Sequence, residues 1–390
     1  MAMRKNRLLM GIVVLFSLAG CEDENPVAPY DYSPPPNVGD GWATGSLQSV
    51  GMKESYISTI ARNVNNGEYT EVHAVLIVKD DKLVFEEYWP GHDFGFTNPQ
   101  YHGAYVRFDR DRRHNTHSAT KSITSALVGI AIQRGSIQSV SDSVFAYLPN
   151  HQLLRNNGRE RITIDHALTM ASGLAWTEWG VAVTSSHNDM VQFNGSTDPI
   201  QYLLSKSIVA EPGTHFSYNG GTVDLLGVVI ANAEETSLQA FSDRILFKPL
   251  GIANYAWQTL SPSGITCAHG DIYITPRDMA KFGYLFLKNG LWNGVQLISS
   301  EWVQQSTRNH ISPGVSWADG YGYLWWIKTY RSGGAEYNAF RADGWGGQQI
   351  IVFPGLNMVV VFTGANYMTE APCDQIVERY ILASVQQQPS

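Results

Sequence analysis

Residues 114–135 read HNTHSATKSITSALVGIAIQRG, and the segment Ser118-Ala119-Thr120-Lys121 within them decides the reading of the whole chain. Ile123, Leu127, Ile130 and Ala131 recur at helical spacing, and Gly135 stands where a helix ends, so the pattern predicts a helix from Ser118 to Arg134. A spacing of three puts the Ser118 hydroxyl and the Lys121 amine on one helical face within hydrogen-bond reach. Ser118 also falls at the positive end of that helix, where its own N–H is free to face a developing oxyanion. A hydroxyl beside an amine able to take its proton is the minimal equipment for acyl transfer through a covalent intermediate. An S-x-x-K string also arises by chance, as a solvated Ser and Lys at a helix start, so the rest of the chain must decide.

Working outward, 73–79 (HAVLIVK) and 83–89 (LVFEEYW) read as an early hairpin around Asp80-Asp81, followed by a loop rich in Gly, Asp and Arg over 91–115. From about 140 to 290 the apolar spacing is helical, at 164–171, 198–206, 222–233 and 237–248, and Thr275-Pro276 opens a further helix that runs to Gly290. Strand patterns return at 322–329, 348–353 and 357–363, and a helix near 374–386 closes the chain. Strands at both ends with helices between predict an α+β fold: an antiparallel sheet built from the two ends of the chain and flanked by helices, plus a mostly helical lobe inserted at about 140–290.

The 390 residues are 44% hydrophobic and 16% charged, which excludes a wholly disordered chain. The net charge is −8, of which the first twenty residues contribute +3 (Arg4, Lys5, Arg7), leaving −11 on the remainder. No basic face suits a nucleic acid. The basic start, the apolar run Leu8 to Leu18 and the small residues Ala19-Gly20 before Cys21 resemble a bacterial lipoprotein signal, in which Cys21 becomes the lipidated first residue. The run is too short for a membrane span. Residues 22–40 hold five prolines and read as an extended tether. The expected organisation is therefore a signal peptide at 1–20, a Pro-rich tether at 21–41 and one domain at 42–390, lipid-anchored in the bacterial cell envelope and facing the periplasm. Glu22 after the lipidated Cys tilts that expectation toward the outer membrane. Cys267 and Cys373 remain as a possible disulfide in an oxidising compartment, two free buried thiols being the other reading.

Four strings add to S-A-T-K-S at 118–122, in order: I-T-I-D-H-A-L-T-M-A-S-G-L at 162–174, P-G-T-H-F-S-Y at 212–218, T-P-R-D-M-A-K-F-G at 275–283 and D-G-W-G-G-Q at 343–348. Together, from Trp42 to Leu382, they resemble the serine β-lactamase and penicillin-binding-protein superfamily. The nearest branch is the class C-like one that contains family VIII esterases and 6-aminohexanoate-dimer hydrolases. The resemblance implies that fold, Ser118 as nucleophile, Lys121 beside it, Tyr218 as a proton relay, and the backbone N–H of Trp345 as a second oxyanion donor. It places Trp176 and Trp179 on a loop bordering the cleft, and Asp343 and Gly344 in the K-T-G-type string that here reads Ala342-Asp343-Gly344.

Two departures stand out. The third position of the Y-x-N pattern is Gly220, and the Lys-Thr pair that helps hold a β-lactam carboxylate is absent. Asp343, facing the cleft, is expected to repel such a carboxylate. A rival register makes Ser217-Tyr218-Asn219 an S-x-N motif instead. His114 and His117 form an H-x-x-H without a third ligand at metal-site spacing, which leaves His117 as a neighbour of the nucleophile. The expectation is an exported serine hydrolase acting on a small-molecule ester or amide without metal or organic cofactor, its oligomeric state open. The alternatives are a peptidoglycan D,D-peptidase or β-lactamase, and a catalytically inactive envelope binding protein.

Overall fold

The computed structural model describes residues 30–385; the signal segment and Cys21 lie outside them. β1 (Val72–Lys79) and β2 (Lys82–Tyr88) form the expected hairpin. Asp80 and Asp81 turn it with φ of 48° and 67°, the paired positive values of a type I′ turn. Late in the chain come β3 (Gly320–Tyr321), β4 (Trp326–Ser332), β5 (Ala335–Gly344), β6 (Gln348–Phe353) and β7 (Met358–Gly364). They join the hairpin in one antiparallel sheet of order β3-β4-β5-β6-β7-β1-β2. The two ends of the chain meet at β1 and β7, where Val75 lies opposite Phe362 and Ile77 opposite Val360.

The central strands are apolar at nearly every position because both faces of the sheet are covered. Leu76 and Val78 of β1 join Ile350, Val352, Val359 and Val361 on one side, while Val75 and Ile77 join Ile351, Phe353, Val360 and Phe362 on the other, as the two-residue period of a strand requires. The second face is closed by α1 (Glu54–Asn65), through Ile57 and Ile60, and by the helical segment 373–384, through Ile376, Val377 and Ile381. The first face carries α2 (Thr120–Arg134), α3 (Gly220–Ala233) and α4 (Pro276–Leu287). Of these, α2 is buried on all sides over most of its length, and it stops at Gly135, whose φ of 79° is the left-handed cap. Each fully buried aliphatic side chain in these layers contributes about 1.5–3 kcal/mol relative to exposure.

Two expectations change, and a third, left open between two readings, is decided. The inserted lobe ends before α4, because Met279, Phe282 and Phe286 of that helix pack on the sheet beside Ile350 and Val359. The stretch read as a tether is, from Tyr30 onward, held on the domain: Tyr30 donates to Glu87 at 2.5 Å, Tyr32 to Val84 O at 2.7 Å, and Arg277 pairs with Asp40 at 2.9 Å. Cys267 and Cys373 are free and buried, not bridged. They lie in the cores on opposite faces of the sheet, so the layer itself separates them. Among the described residues no helix is long and apolar enough to cross a membrane.

Candidate active site

Ser118 sits on a short 3₁₀ turn, His117–Ala119, that feeds into α2, so the helix expected to begin at Ser118 winds more tightly over its first residues. His117 takes a φ of 45°, a strained value for a residue with a β-carbon. The turn holds it there. Asn115 Oδ1 accepts the His117 N–H at 2.8 Å, and Thr116 O accepts the Ala119 N–H at 3.0 Å. Asn115 in turn donates to Asp271 at 2.8 Å, and its strand pairs with Ile272–Ile274.

Lys121, one turn on and only 2% exposed, points its Nζ at Ser118 Oγ at 2.9 Å and donates to His269 O at 2.7 Å. That carbonyl is fixed from α3: Asp224 accepts the His269 backbone N–H at 3.0 Å and bonds its Nδ1 at 2.6 Å. Burial pushes the Lys121 amine below its ordinary range, against the opposing pull of Glu178 and Asp224.

Tyr218 stands immediately before α3. Its ring lies 4.9 Å from Lys121 Nζ and lines the same cleft as Ser118. Burial, and then the charge of Glu178, push its phenol well above the usual range, with Ser118 offsetting part of the effect. The rival S-x-N register is answered by the backbone. Ser217 N–H goes to Met170 O at 2.8 Å, and Asn219 Oδ1 caps α3 by accepting the Thr222 N–H at 3.0 Å, so Tyr218 is the one of the three that lines the cleft.

Opposite Ser118, β5 ends at Gly344 against the nucleophile turn. A β-carbon there would overlap Thr116 O and lie 3.2 Å from Ala119 N, so this approach requires glycine. Trp345 follows in the turn, lines the cleft, and is anchored by its indole N–H to Tyr367 O at 2.7 Å. Among the described residues its backbone N–H, like that of Ser118, donates to nothing.

The cleft encloses about 640 Å³. Trp179 lines it, 46% exposed, with its indole stacked on Tyr218 at 4.5 Å. Trp176 does not line it, contrary to expectation. Its ring packs against Phe193 and Tyr202 behind the wall, and its indole N–H donates to Glu178 at 2.8 Å. Asp343 does face the cleft, but its charge is met by the buried Arg341 at 3.0 Å, which also pairs with Asp374 at 2.6 Å. The expected repulsion is therefore largely cancelled.

Sequence reasoning missed Glu178, Asp224, His269 and Arg341. Glu178 matters most. The Gly220 N–H donates to its Oε2 at 2.7 Å, and a β-carbon at 220 would lie 3.3 Å from both carboxylate oxygens and 2.8 Å from Met190 Sδ. The carboxylate thus occupies the space that the amide of a Y-x-N motif would need.

Among the described residues two groups bring three metal-ligand atoms within 4.8 Å of one another. In Asp224, Cys267 and His269 the Asp224 carboxylate already holds both the His269 ring and its backbone N–H, so the set fixes the carbonyl that holds Lys121. In Glu71, His92 and His102 the imidazoles stack at 4.4 Å with planes 3° apart, an arrangement in which two rings cannot both aim a lone pair at one ion.

Known proteins place this geometry. The family model described as Beta-lactamase matches residues 64–385. An uncharacterized protein of Alkalihalophilus pseudofirmus is 26% identical over 320 residues, covering 74% of this chain and 82% of its own. Among solved structures, a family VIII carboxylesterase superposes with a TM-score of 0.63 at 16% identity, covering 84% of this chain and 95% of that one. The octameric penicillin-binding protein homologue from Pyrococcus abyssi gives 0.61 at 19% identity, over 83% and 75%. At such identities these two likenesses speak for the fold, while the family model spans most of the sequence. The chain belongs to the Beta-lactamase family, in the superfamily of serine β-lactamases and penicillin-binding proteins, and is a serine hydrolase of that family.

Proposed function

We propose that the protein cleaves a small ester or amide through an acyl-enzyme on Ser118. The observation that carries the reading is the 2.9 Å contact between Ser118 Oγ and the Nζ of a buried Lys121. A neutral amine at Lys121 keeps an N–H on His269 O and turns its lone pair to the Ser118 hydroxyl. It takes that proton as Oγ attacks the carbonyl carbon. The backbone N–H groups of Ser118 and Trp345 receive the oxyanion, for which removal of one donor typically costs about 10²–10³ in rate. The two pKa directions separate the roles. Burial favours the uncharged form of both side chains, which is the basic form of lysine and the acidic form of tyrosine. Lys121 is therefore the base, and Tyr218 passes a proton to the leaving oxygen or nitrogen. Water then attacks the acyl carbonyl and the same transfers run in reverse, freeing Ser118.

A β-lactam is a poor fit for this cleft. The string Ala342-Asp343-Gly344 supplies neither cation nor hydroxyl for its carboxylate, and Glu178 stands where an amide would greet its side chain. Each hydrogen bond to a charged group that is missing forfeits about 1.5–3 kcal/mol. Comparison of kcat/KM for p-nitrophenyl butyrate and nitrocefin, with fluorophosphonate labelling of the parent and of Ser118→Ala, tests the reading. Ester turnover and labelling that vanish in Ser118→Ala support it; efficient nitrocefin hydrolysis with negligible esterase activity overturns it. The same proposal sets the domain in the cell envelope on a lipidated Cys21.

A further inference from the structure

The carboxylates of the cleft are not equally answered. Of the three that line it, Asp343 is matched by Arg341, but Glu178 and Asp271 have no Lys or Arg partner among the described residues. Among the described residues no Lys or Arg side chain lines the cleft. Lys121 lies beneath Ser118, engaged with Ser118 and His269, and the His269 ring is paired with Asp224. Glu178 takes both of its neutral donors, the Trp176 indole and the Gly220 N–H, on Oε2, which leaves Oε1 open.

A second observation concerns His117, which lines the cleft and is more than nine-tenths buried. Its Nε2 has no hydrogen-bond partner. Asp271 lies 3.9 Å from the other ring nitrogen. The Glu178 and Asp271 carboxylates thus give the cleft acceptors and negative charge. The wall beside them is aromatic: Trp179 is 46% exposed and an indole face attracts cations, whereas the Trp317 ring, 6.4 Å away, already has the Arg341 guanidinium 5.4 Å from its centroid.

We propose that the cleft selects substrates carrying a positive charge, an ammonium group on the acyl or the alcohol half of the ester, with Glu178 as its counter-charge and the Trp179 indole as its wall. The proposal rests on the esterase reading given above and narrows it to a substrate class. An unscreened carboxylate in a partly closed cleft, reinforced by an indole face, is worth about tenfold in kcat/KM at low ionic strength.

The test uses charges that are fixed at every pH. In the acyl arm the p-nitrophenyl ester of 4-(trimethylammonio)butanoate is compared with that of 5,5-dimethylhexanoate, in which carbon replaces the charged nitrogen. In the alcohol arm choline butyrate is compared with 3,3-dimethylbutyl butyrate. The expected result is a cationic-to-neutral ratio of about ten or more in at least one arm, falling as salt is raised and falling at least fivefold in Glu178→Gln. Because the neutral ester is measured on both proteins, any effect of Glu178 on Lys121 or Tyr218 divides out.

A binding arm needs no turnover. Butyltrimethylammonium titrated into Ser118→Ala should quench tryptophan fluorescence saturably, and more weakly once Glu178→Gln is added. Neutral esters hydrolysed as well as or better than cationic ones in both arms overturn the proposal, as does a preference that survives Glu178→Gln unchanged. If no ester is turned over and Ser118 is not labelled, the esterase reading has failed, and absence of saturable quenching then refutes the cation site on its own.

Discussion

Replacing Gly344 by alanine tests whether the end of β5 is an oxyanion support. The new β-carbon would overlap Thr116 O while lying 3.0 Å from Gln348 Cβ and 3.2 Å from Ala119 N. It is therefore wedged between the nucleophile turn and the next strand. Thr116 cannot retreat, because its hydroxyl donates to Ile272 O at 3.1 Å and its N–H to the same oxygen at 2.9 Å. The strand end must move instead, by about 1 Å, and it carries the Trp345 N–H with it. A donor displaced that far from the oxyanion costs about 10²-fold in kcat, and the overpacking costs about 1–3 kcal/mol of stability. Gly355→Ala is the matched control, since a β-carbon there meets nothing within 4 Å. Kinetics on p-nitrophenyl butyrate, with circular dichroism to confirm folding, should show a large fall in kcat and little change in KM for Gly344→Ala alone. A folded Gly344→Ala protein with kcat within threefold of the parent would refute the placement of Trp345.

Tyr218→Phe should lower kcat about 10²-fold or more, the scale of a lost proton donor, while Ser217→Ala stays near parent rates; the reverse pattern would restore the S-x-N register. The kcat/KM profile should rise with pH as the Lys121 ammonium gives up its proton, with a midpoint below the ~10.4 of free lysine. Glu178→Gln removes a charge that favours the ammonium, so this midpoint should move to lower pH, and an upward move would contradict the assignment of Lys121 as base. Denatured, unreduced protein should react with a thiol reagent at both Cys267 and Cys373; a tryptic peptide linking them would restore the disulfide. Cys21→Ser should release the protein from washed membranes, and its retention there would point to another anchor.

What was legible in the sequence was local. The Ser118 and Lys121 pair shows because three residues on a helix bring side chains together, and the early hairpin shows through its two β-rich runs and the two aspartates between them. β5 was missed as a strand because A-E-Y-N-A-F-R-A-D-G has no Val, Ile or Thr, and pairing on both sides by β4 and β6 makes it one regardless. The pairing of Arg341 with Asp343 was within reach, since residues two apart on a strand share a face. Glu178 was beyond it. Its meeting with Gly220 spans 42 residues and depends on the path of an irregular loop; the hint was a glycine where the related motif carries a side chain, a gap another residue could fill. The choice between a disulfide and two free thiols stayed open in the sequence because a count of cysteines says nothing about which side of a sheet each one enters.

The pairing of β1 with β7 also sets the order in which competence can arise. Ser118 and Lys121 leave the ribosome early, yet β1 lacks its neighbour until residues 358–364 have been made, and Gly344 and Trp345 come only shortly before. Closing a loop of this length is slow compared with forming helices or hairpins. A nascent or truncated chain therefore carries the nucleophile without its oxyanion donor and without the strand that completes the sheet. The assembled site therefore waits on residues 344–364, more than 220 positions after the serine it serves.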